Sequence, residues 1–367
     1  MAEGIKMNIK IYDDTIRDGE QQVGVFFTTT QKDRLAEAFK EVGIQEIVLM
    51  SGVHEVEDGL IKKLAQKNIP ITPLSMLDER YVDLAVENNV KRIMLVYGVS
   101  DILLNSRGVS REEILERSID VAKYARSCGL YVDFAGEDST RADFSYLSQL
   151  GRYLQSFIDY FFICDTIGVL KPEESGDFVR RFIGETGNRV GLHYHNDLGL
   201  ATENTIQGVL SGAEIISGTF TGIGERAGNI SIENVLLRLR AEHGIVAENI
   251  DYNGIPEVVA LVRDFSRMGP AKPFSEEAQY VESGLHVNGL LKDPRTYNPF
   301  PKKPPILFFG KQSGASNFQY LFERILEDPQ PKERYLEMRD VIKDMSITQR
   351  RSFSTKEVRE MYENGLL

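Results

Sequence analysis

The sequence predicts an α/β protein: a closed TIM-type (β/α)8 barrel followed by a C-terminal linker arm and a small helical subdomain. Two features point to the barrel. Short apolar runs of strand character alternate eight times with amphipathic helical stretches, and the polar clusters of the chain fall at or just beyond the C-terminal ends of those runs. A third feature, the crowding of Pro294, Pro299, Pro301, Pro304 and Pro305 beyond Phe274, marks where the alternation stops. An open doubly wound sheet would share the alternation, because periodicity says nothing about closure. The clustering of polar motifs at strand ends favours the barrel, whose enzymes build their sites on that face.

Taken in order, the strand candidates are Met7 to Asp13, Ile44 to Met50, Ile71 to Met76, Arg92 to Tyr97, Tyr131 to Ala135, Tyr160 to Cys164, Val190 to His195 and Ile215 to Gly218. Helices are expected near Gln31 to Val42, Arg111 to Ser127, Pro172 to Ile183, Ala201 to Ser211 and Ile230 to His243, with Pro172 suited to a first turn. The barrel domain is assigned to residues 1–274, the arm to 275–310 and the helical subdomain to 311–367. In that last part Phe318 to Leu326 and Lys332 to Met345 read as helices, and Ser354 with Glu357 reads as the cap of another.

Composition narrows the function. Hydrophobic residues make up 42% and charged residues 27%, a globular balance, and a net charge of −12 disfavours nonspecific contact with nucleic acid or an anionic membrane. Cys128 and Cys164 are too few for a disulfide framework and are expected to be reduced core thiols. The opening MAEGIKMNIK lacks the apolar segment of a secretory signal, and no apolar run approaches the roughly 18 residues of a membrane span, so a cytoplasmic protein is expected.

Three polar segments carry the chemistry: Asp14-Thr15-Ile16-Arg17-Asp18-Gly19-Glu20-Gln21, His193-Tyr194-His195-Asn196-Asp197-Leu198-Gly199, and Gly222 to Asn229. Alternate residues of a strand share a face, so His193 and His195 can present two imidazoles to one ion while Tyr194 points away. A lone His-x-His is more often a partly buried polar pair. With Asp18 as a hard oxygen ligand from another strand end, the set suits a divalent cation that keeps open positions, which is a catalytic rather than a structural arrangement.

In these three segments, and in their order, the chain resembles the metal-dependent Claisen-condensing family of isopropylmalate, homocitrate and citramalate synthases, related to HMG-CoA lyase and 4-hydroxy-2-oxovalerate aldolase. The resemblance implies that Asp18, His193 and His195 bind Mg, Mn or Zn, with Asn229 as a fourth ligand or a support to the others. It implies a condensation of acetyl-CoA with a 2-oxo acid, the ion polarising the keto group and Arg17 stabilising the alkoxide. Thr166 would contact the 2-oxo acid carboxylate and Gln21 the substrate. From the arm, His286 would be the base that deprotonates the acetyl methyl group, Tyr297 would stand beside it, and Glu137 would orient and charge-balance the histidine. In relatives the arm reaches the neighbouring subunit's site, so a homodimer is implied. The long arm favours condensation over its two alternatives, a lyase or aldolase on the same site and a barrel retained only for binding.

Two positions depart from the family pattern. Val48 stands where many synthases carry a glutamate, and Met94 where many carry a histidine; the implied pocket is less polar and favours a small or aliphatic 2-oxo acid. Asp133, aligned with an arginine of homocitrate synthases, counts against 2-oxoglutarate. The phosphates of coenzyme A need local positive charge in this acidic chain, for which Lys292, Arg295, Lys302, Lys303 and Lys311 are available without being assigned.

Overall fold

The computed structural model describes residues 4–52, 55–300 and 303–367. Pro301, one of the crowded prolines, and Lys302, one of the basic residues noted above, lie outside them.

Eight parallel strands form the barrel: β1 Lys10–Asp13, β2 Glu46–Met50, β3 Ile71–Met76, β4 Arg92–Gly98, β5 Tyr131–Glu137, β6 Tyr160–Asp165, β7 Val190–Tyr194 and β8 Ile215–Gly218. Closure is decided by β1 pairing with β8, from Lys10 opposite Ile215 to Asp13 opposite Gly218. That pairing excludes the open sheet. The first strand is shorter than expected, because Ile5–Met7 instead pairs outside the barrel with Ile245–Ala247.

Both faces of a parallel barrel are buried, and the side chains divide by parity. Odd and even positions sort cleanly: Tyr12, Val48, Leu74, Met94, Ala135, Phe162, Cys164 and Ile215 fill the interior. Ile11, Leu49, Leu95, Phe134, Ile163, Leu192 and Ile216 face outward into the layer of helices. The helices start where polar caps allow them. Thr28 and Gln31 form a capping box ahead of Thr29–Glu41, and Pro172 opens Pro172–Thr186.

Among the helices not named from the sequence are Glu55–Gln66, Glu79–Glu87, Asp101–Arg107, Phe144–Leu154, Ile255–Ser266 and Gly284–Lys292. The last carries His286, in the segment expected to be an extended linker. That segment also supplies strands. Tyr280–Val281 and Ile306–Phe309 pair in parallel, and Ile306–Phe309 pairs antiparallel with Phe353–Ser354. Around this small sheet pack Ala315–Tyr320, which runs on into Leu321–Ile325, and the helices Lys332–Gln349 and Thr355–Glu363. Their shared core contains Val287, Tyr297, Phe309, Phe318, Phe322, Ile342 and Phe353, and it reaches the barrel through Leu103. Ser354 and Glu357 do form a capping box. Cys164 is buried as expected, whereas Cys128, at the end of Arg111–Ser127, is exposed. Among the described residues no helix is long and apolar enough to cross a membrane.

Candidate active site

A cavity of about 240 Å³ opens at the C-terminal mouth of the barrel, lined among others by Arg17, Asp18, Gln21, Glu137, Thr166, His193, His195 and His286. Asp18 follows β1 in a tight turn whose N–H groups bond back to the Asp14 carbonyl. His193 lies on β7 and His195 just beyond it, and Tyr194 points outward into the helix layer with no exposure.

The three side chains converge. One ligand atom each from Asp18, His193 and His195 lies within 4.8 Å of the others; both Nε2 atoms face Asp18 Oδ2, at 3.6 Å from His193 and 3.8 Å from His195. The other ring nitrogen of His193 sits 3.1 Å from Ser217 Oγ and 3.4 Å from Asp14 Oδ2, which fixes the ring from behind. Burial opposes ionisation of Asp18, but Arg17 and then His195 outweigh it and hold the carboxyl well below its ordinary range. Burial also keeps His195 neutral, overriding the pull of Asp18. For His193 burial works in the same direction, yet its hydrogen bonds to Asp14 and Asp18 prevail and raise it to about 9.

A carboxylate facing two imidazoles is a donor set for a divalent cation. The local hydrogen bonding agrees with one. Asn229 Nδ2 donates to Asp18 Oδ1 at 2.7 Å, while Asn229 Oδ1 and His195 Nδ1 are buried with no hydrogen-bond partner. Buried acceptors are rarely left so in a finished structure. The loop 222–229 is held against β7 by a bridge between His195 and Asn229. It must approach closely: a Cβ on Gly224, whose φ is +155°, would stand 2.1 Å from Asn229 Nδ2 and 2.8 Å from Asp18 Oδ1.

Arg17 lies across the same carboxylates. Its Nη1 donates to Asp18 Oδ2 and its Nε to Asp14 Oδ1, both at 2.9 Å, and it remains 13% exposed toward the cavity. Thr166 Oγ1 accepts from the Asp138 N–H at 2.8 Å, which leaves the hydroxyl hydrogen free to donate. Arg226 ties this corner together, donating to the Thr166 carbonyl at 2.6 Å and to both oxygens of Asp197.

From the arm, His286 reaches the cavity, but its partner is not the expected one. Its Nδ1 lies 2.9 Å from Glu225 Oε1. Glu137 is engaged elsewhere: it accepts from the Tyr297 hydroxyl at 2.6 Å and from Arg107 Nη2 at 2.7 Å. Burial opposes its ionisation, and Arg107 with the Tyr297 hydroxyl more than compensates, so Glu137 stays charged. Tyr297 itself is 2% exposed and stands behind His286, the two rings stacked at 3.9 Å. The arm packs against the barrel. Leu103 in the shared core and the bond from Arg107 Nη2 to the Tyr297 hydroxyl at 2.8 Å anchor it there.

The cavity floor corrects two readings. Val48 points inward but lies one layer too deep, at 1% exposure, and Met50, two residues on, lines the cavity in its place. Met94 does line it, together with Leu74, Met76, Val96 and Phe162. Asp133 is not near the mouth. It lies at the opposite end of β5, bonded to Arg92 Nη1 at 2.7 Å and to the Tyr12 hydroxyl at 3.2 Å. Glu225, Asp14, Ser217 and Arg107 were given no role from sequence. The first two sit inside the quoted motifs and could have been found there; Arg107 carries no local signal.

Comparison with known proteins agrees with this geometry. The chain is 34% identical over 332 residues to a homocitrate synthase of Methanopyrus kandleri, covering 87% of this chain and 83% of that protein. It is 32% identical over 354 residues to a 2-isopropylmalate synthase of Sulfolobus acidocaldarius, covering 91% and 90%. Among solved structures, the HMG-CoA lyase of Bacillus subtilis superposes with a TM-score of 0.63 at 18% identity, over 74% of this chain and 97% of that one, a likeness of fold. The HMGL-like family profile matches residues 8–262, barrel and ligand set included, and the chain belongs to that family.

Proposed function

We propose that this protein condenses the acetyl group of acetyl-CoA with a 2-oxo acid and hydrolyses the resulting thioester, giving a 2-hydroxy dicarboxylic acid. One observation carries the reading: Asp18, His193 and His195 converge in a single cavity with Arg17 and His286. The synthases of 32–34% identity, which extend across nearly the whole chain, support it.

Asp18, His193 and His195 would hold a divalent cation, with Asn229 aligning the Asp18 carboxylate. Once bound, the ion supplies Lewis acidity to the keto group of the substrate. Thr166 offers its hydroxyl to the 2-oxo acid carboxylate. With Glu225 accepting from Nδ1–H of His286, the Nε2 lone pair is free to take a proton from the acetyl methyl group. The carbanion so formed attacks the keto carbon, making the new C–C bond. Negative charge then gathers on the former keto oxygen, where the Arg17 guanidinium, which keeps its proton at any working pH, is positioned to meet it. Attack of water on the thioester carbonyl expels the coenzyme A thiol and completes the product.

The floor sets the kind of 2-oxo acid. Met50, Leu74, Met76, Met94, Val96 and Phe162 present no charge to a second carboxylate, and burying one there unpaired is costly. The side chain accommodated is therefore uncharged and aliphatic. Thiol release from acetyl-CoA is to be measured with pyruvate, 2-oxoisovalerate, longer aliphatic 2-oxo acids, oxaloacetate and 2-oxoglutarate, each with Mg, Mn and Zn. Turnover with an aliphatic acid and a dependence on the ion are expected. Cleavage of a preformed 2-hydroxy acid with no condensation would replace this reading by a lyase.

A further inference from the structure

Beside the catalytic cavity lies a second one, of about 290 Å³, where the segment after β1 and the helix Glu55–Gln66 meet the C-terminal unit. The two cavities share Arg17, Gln21, Met50 and Gln312 in their walls, so no more than a layer of side chains divides them. Most of the second wall is apolar, from Ile16, Phe26, Phe27, Leu49, Leu60 and Ile347.

Besides Arg17, which is held by Asp14 and Asp18, four cations line it, and they fall into two kinds. Lys32 and Lys311 are neutralised: both bond the buried Glu20, Lys32 Nζ at 2.7 Å, and Lys32 bonds Glu57 as well. This network pins the barrel to the C-terminal unit. Lys343 and Arg350 are different. They come from the helix Lys332–Gln349 and its C-cap, and among the described residues neither has a carboxylate partner. Burial, with Arg339 nearby, depresses Lys343 below its ordinary range against the weaker opposing pull of Asp340 and Glu282. In a protein of net charge −12, two cations without an ion-pair partner among the described residues, set in a largely apolar wall, mark a place for anionic groups brought by a ligand.

We propose that this second cavity binds the carrier arm of the acyl thioester: its apolar walls take the long amide-bearing chain, and Lys343 and Arg350 receive its phosphates. The proposal rests on the condensing reading above. Because Gln21, Met50 and Gln312 line both cavities, a ligand in the second lies against the wall of the first, where His286 stands. An independent effector would need no such adjacency. Arginine and lysine differ in their usual roles here, Arg350 offering a planar fork to a phosphate and Lys343 a compact point charge.

The test is calorimetric titration of coenzyme A itself into the full-length protein, the variants Lys343→Glu, Arg350→Glu and Ile347→Trp, and the control Lys292→Glu. Lys292 is exposed on the arm and lies outside the cavity. Each charge reversal in the cavity is expected to raise Kd about tenfold, or ~1.4 kcal/mol. Ile347→Trp, which fills the cavity from its exposed rim, removes measurable binding, and Lys292→Glu leaves Kd within about twofold of wild type. Equal affinity in all four variants overturns the proposal while leaving the condensing reading intact. An equal weakening by Lys292→Glu also overturns it, because the effect would then be one of net charge. If wild type binds no coenzyme A, the acyl donor itself is misassigned and the condensing reading fails with it.

Discussion

Replacing Glu225 by glutamine isolates what a carboxylate does for His286. The two groups are 2.9 Å apart and only 9% and 12% exposed, so solvent screens them weakly. At an effective dielectric constant of about 20, opposite unit charges at that separation attract by ~6 kcal/mol. This attraction is absent while the imidazole is neutral and grows as it takes the methyl proton, so it acts on the transition state and not on the substrate complex. Glutamine keeps an acceptor oxygen for Nδ1–H and loses only the charge. Allowing the amide to recover about half the interaction, ~3 kcal/mol is lost, or a fall in kcat of about 10²-fold. KM for either substrate should change little, because Glu225 is assigned to His286 and to no substrate atom. Thiol release at saturating acetyl-CoA and 2-oxo acid measures kcat, and metal analysis by emission spectroscopy checks that the ion content is unchanged. A kcat within about threefold of wild type, at normal metal content, would show that the Glu225 charge is a bystander to proton transfer at His286.

Three further outcomes test other parts of the site. Arg17→Ala should retain the metal and lose roughly 10²–10³-fold in turnover, as on removal of an oxyanion donor; near-normal turnover removes Arg17 from the chemistry. Gly224→Ala puts a methyl group against Asn229 and Asp18, so the apoprotein should remain folded by circular dichroism but take up metal at least about tenfold more weakly; unchanged uptake would show that the glycine loop does not set the ligand geometry. Asp133 is raised from 3.8 to about 7, by burial that outweighs Arg92. Its native-state proton therefore stabilises the fold fully below pH ~4, and that stabilisation is lost as the pH rises through 7. Asp133→Asn cannot lose it, so the melting temperature of the variant relative to wild type should climb between pH 4 and 7; a constant difference would contradict the shift.

Most of the barrel could be read from the chain because a parallel strand buried on both faces has to be apolar at nearly every position, and Ile47-Val48-Leu49 or Phe161-Phe162-Ile163 say so locally. Strand parity likewise placed His193 and His195 together and Tyr194 opposite them. Parity has no depth, however. Val48 and Met50 both face inward, and which of them meets substrate depends on the stagger of neighbouring strands around the ring. The helix Gly284–Lys292 was obscured for another reason: the prolines that follow it suggested an extended segment, while its own apolar residues find their partners in a core completed only by Phe309, Phe318 and Phe353.

The sequence alone determined the strand and helix alternation, the Asp18, His193 and His195 donor set and the resemblance to the family, since each depends on residue type and short spacing. Tertiary structure alone decided that β1 closes on β8, that Glu225 and not Glu137 meets His286 Nδ1, and that Tyr297 of the arm bonds Glu137. Those outcomes join residues some 60 to 205 positions apart. No local preference encodes such contacts; they are fixed when the apolar faces of the whole ring are buried together and the charged groups left at its mouth must find partners there.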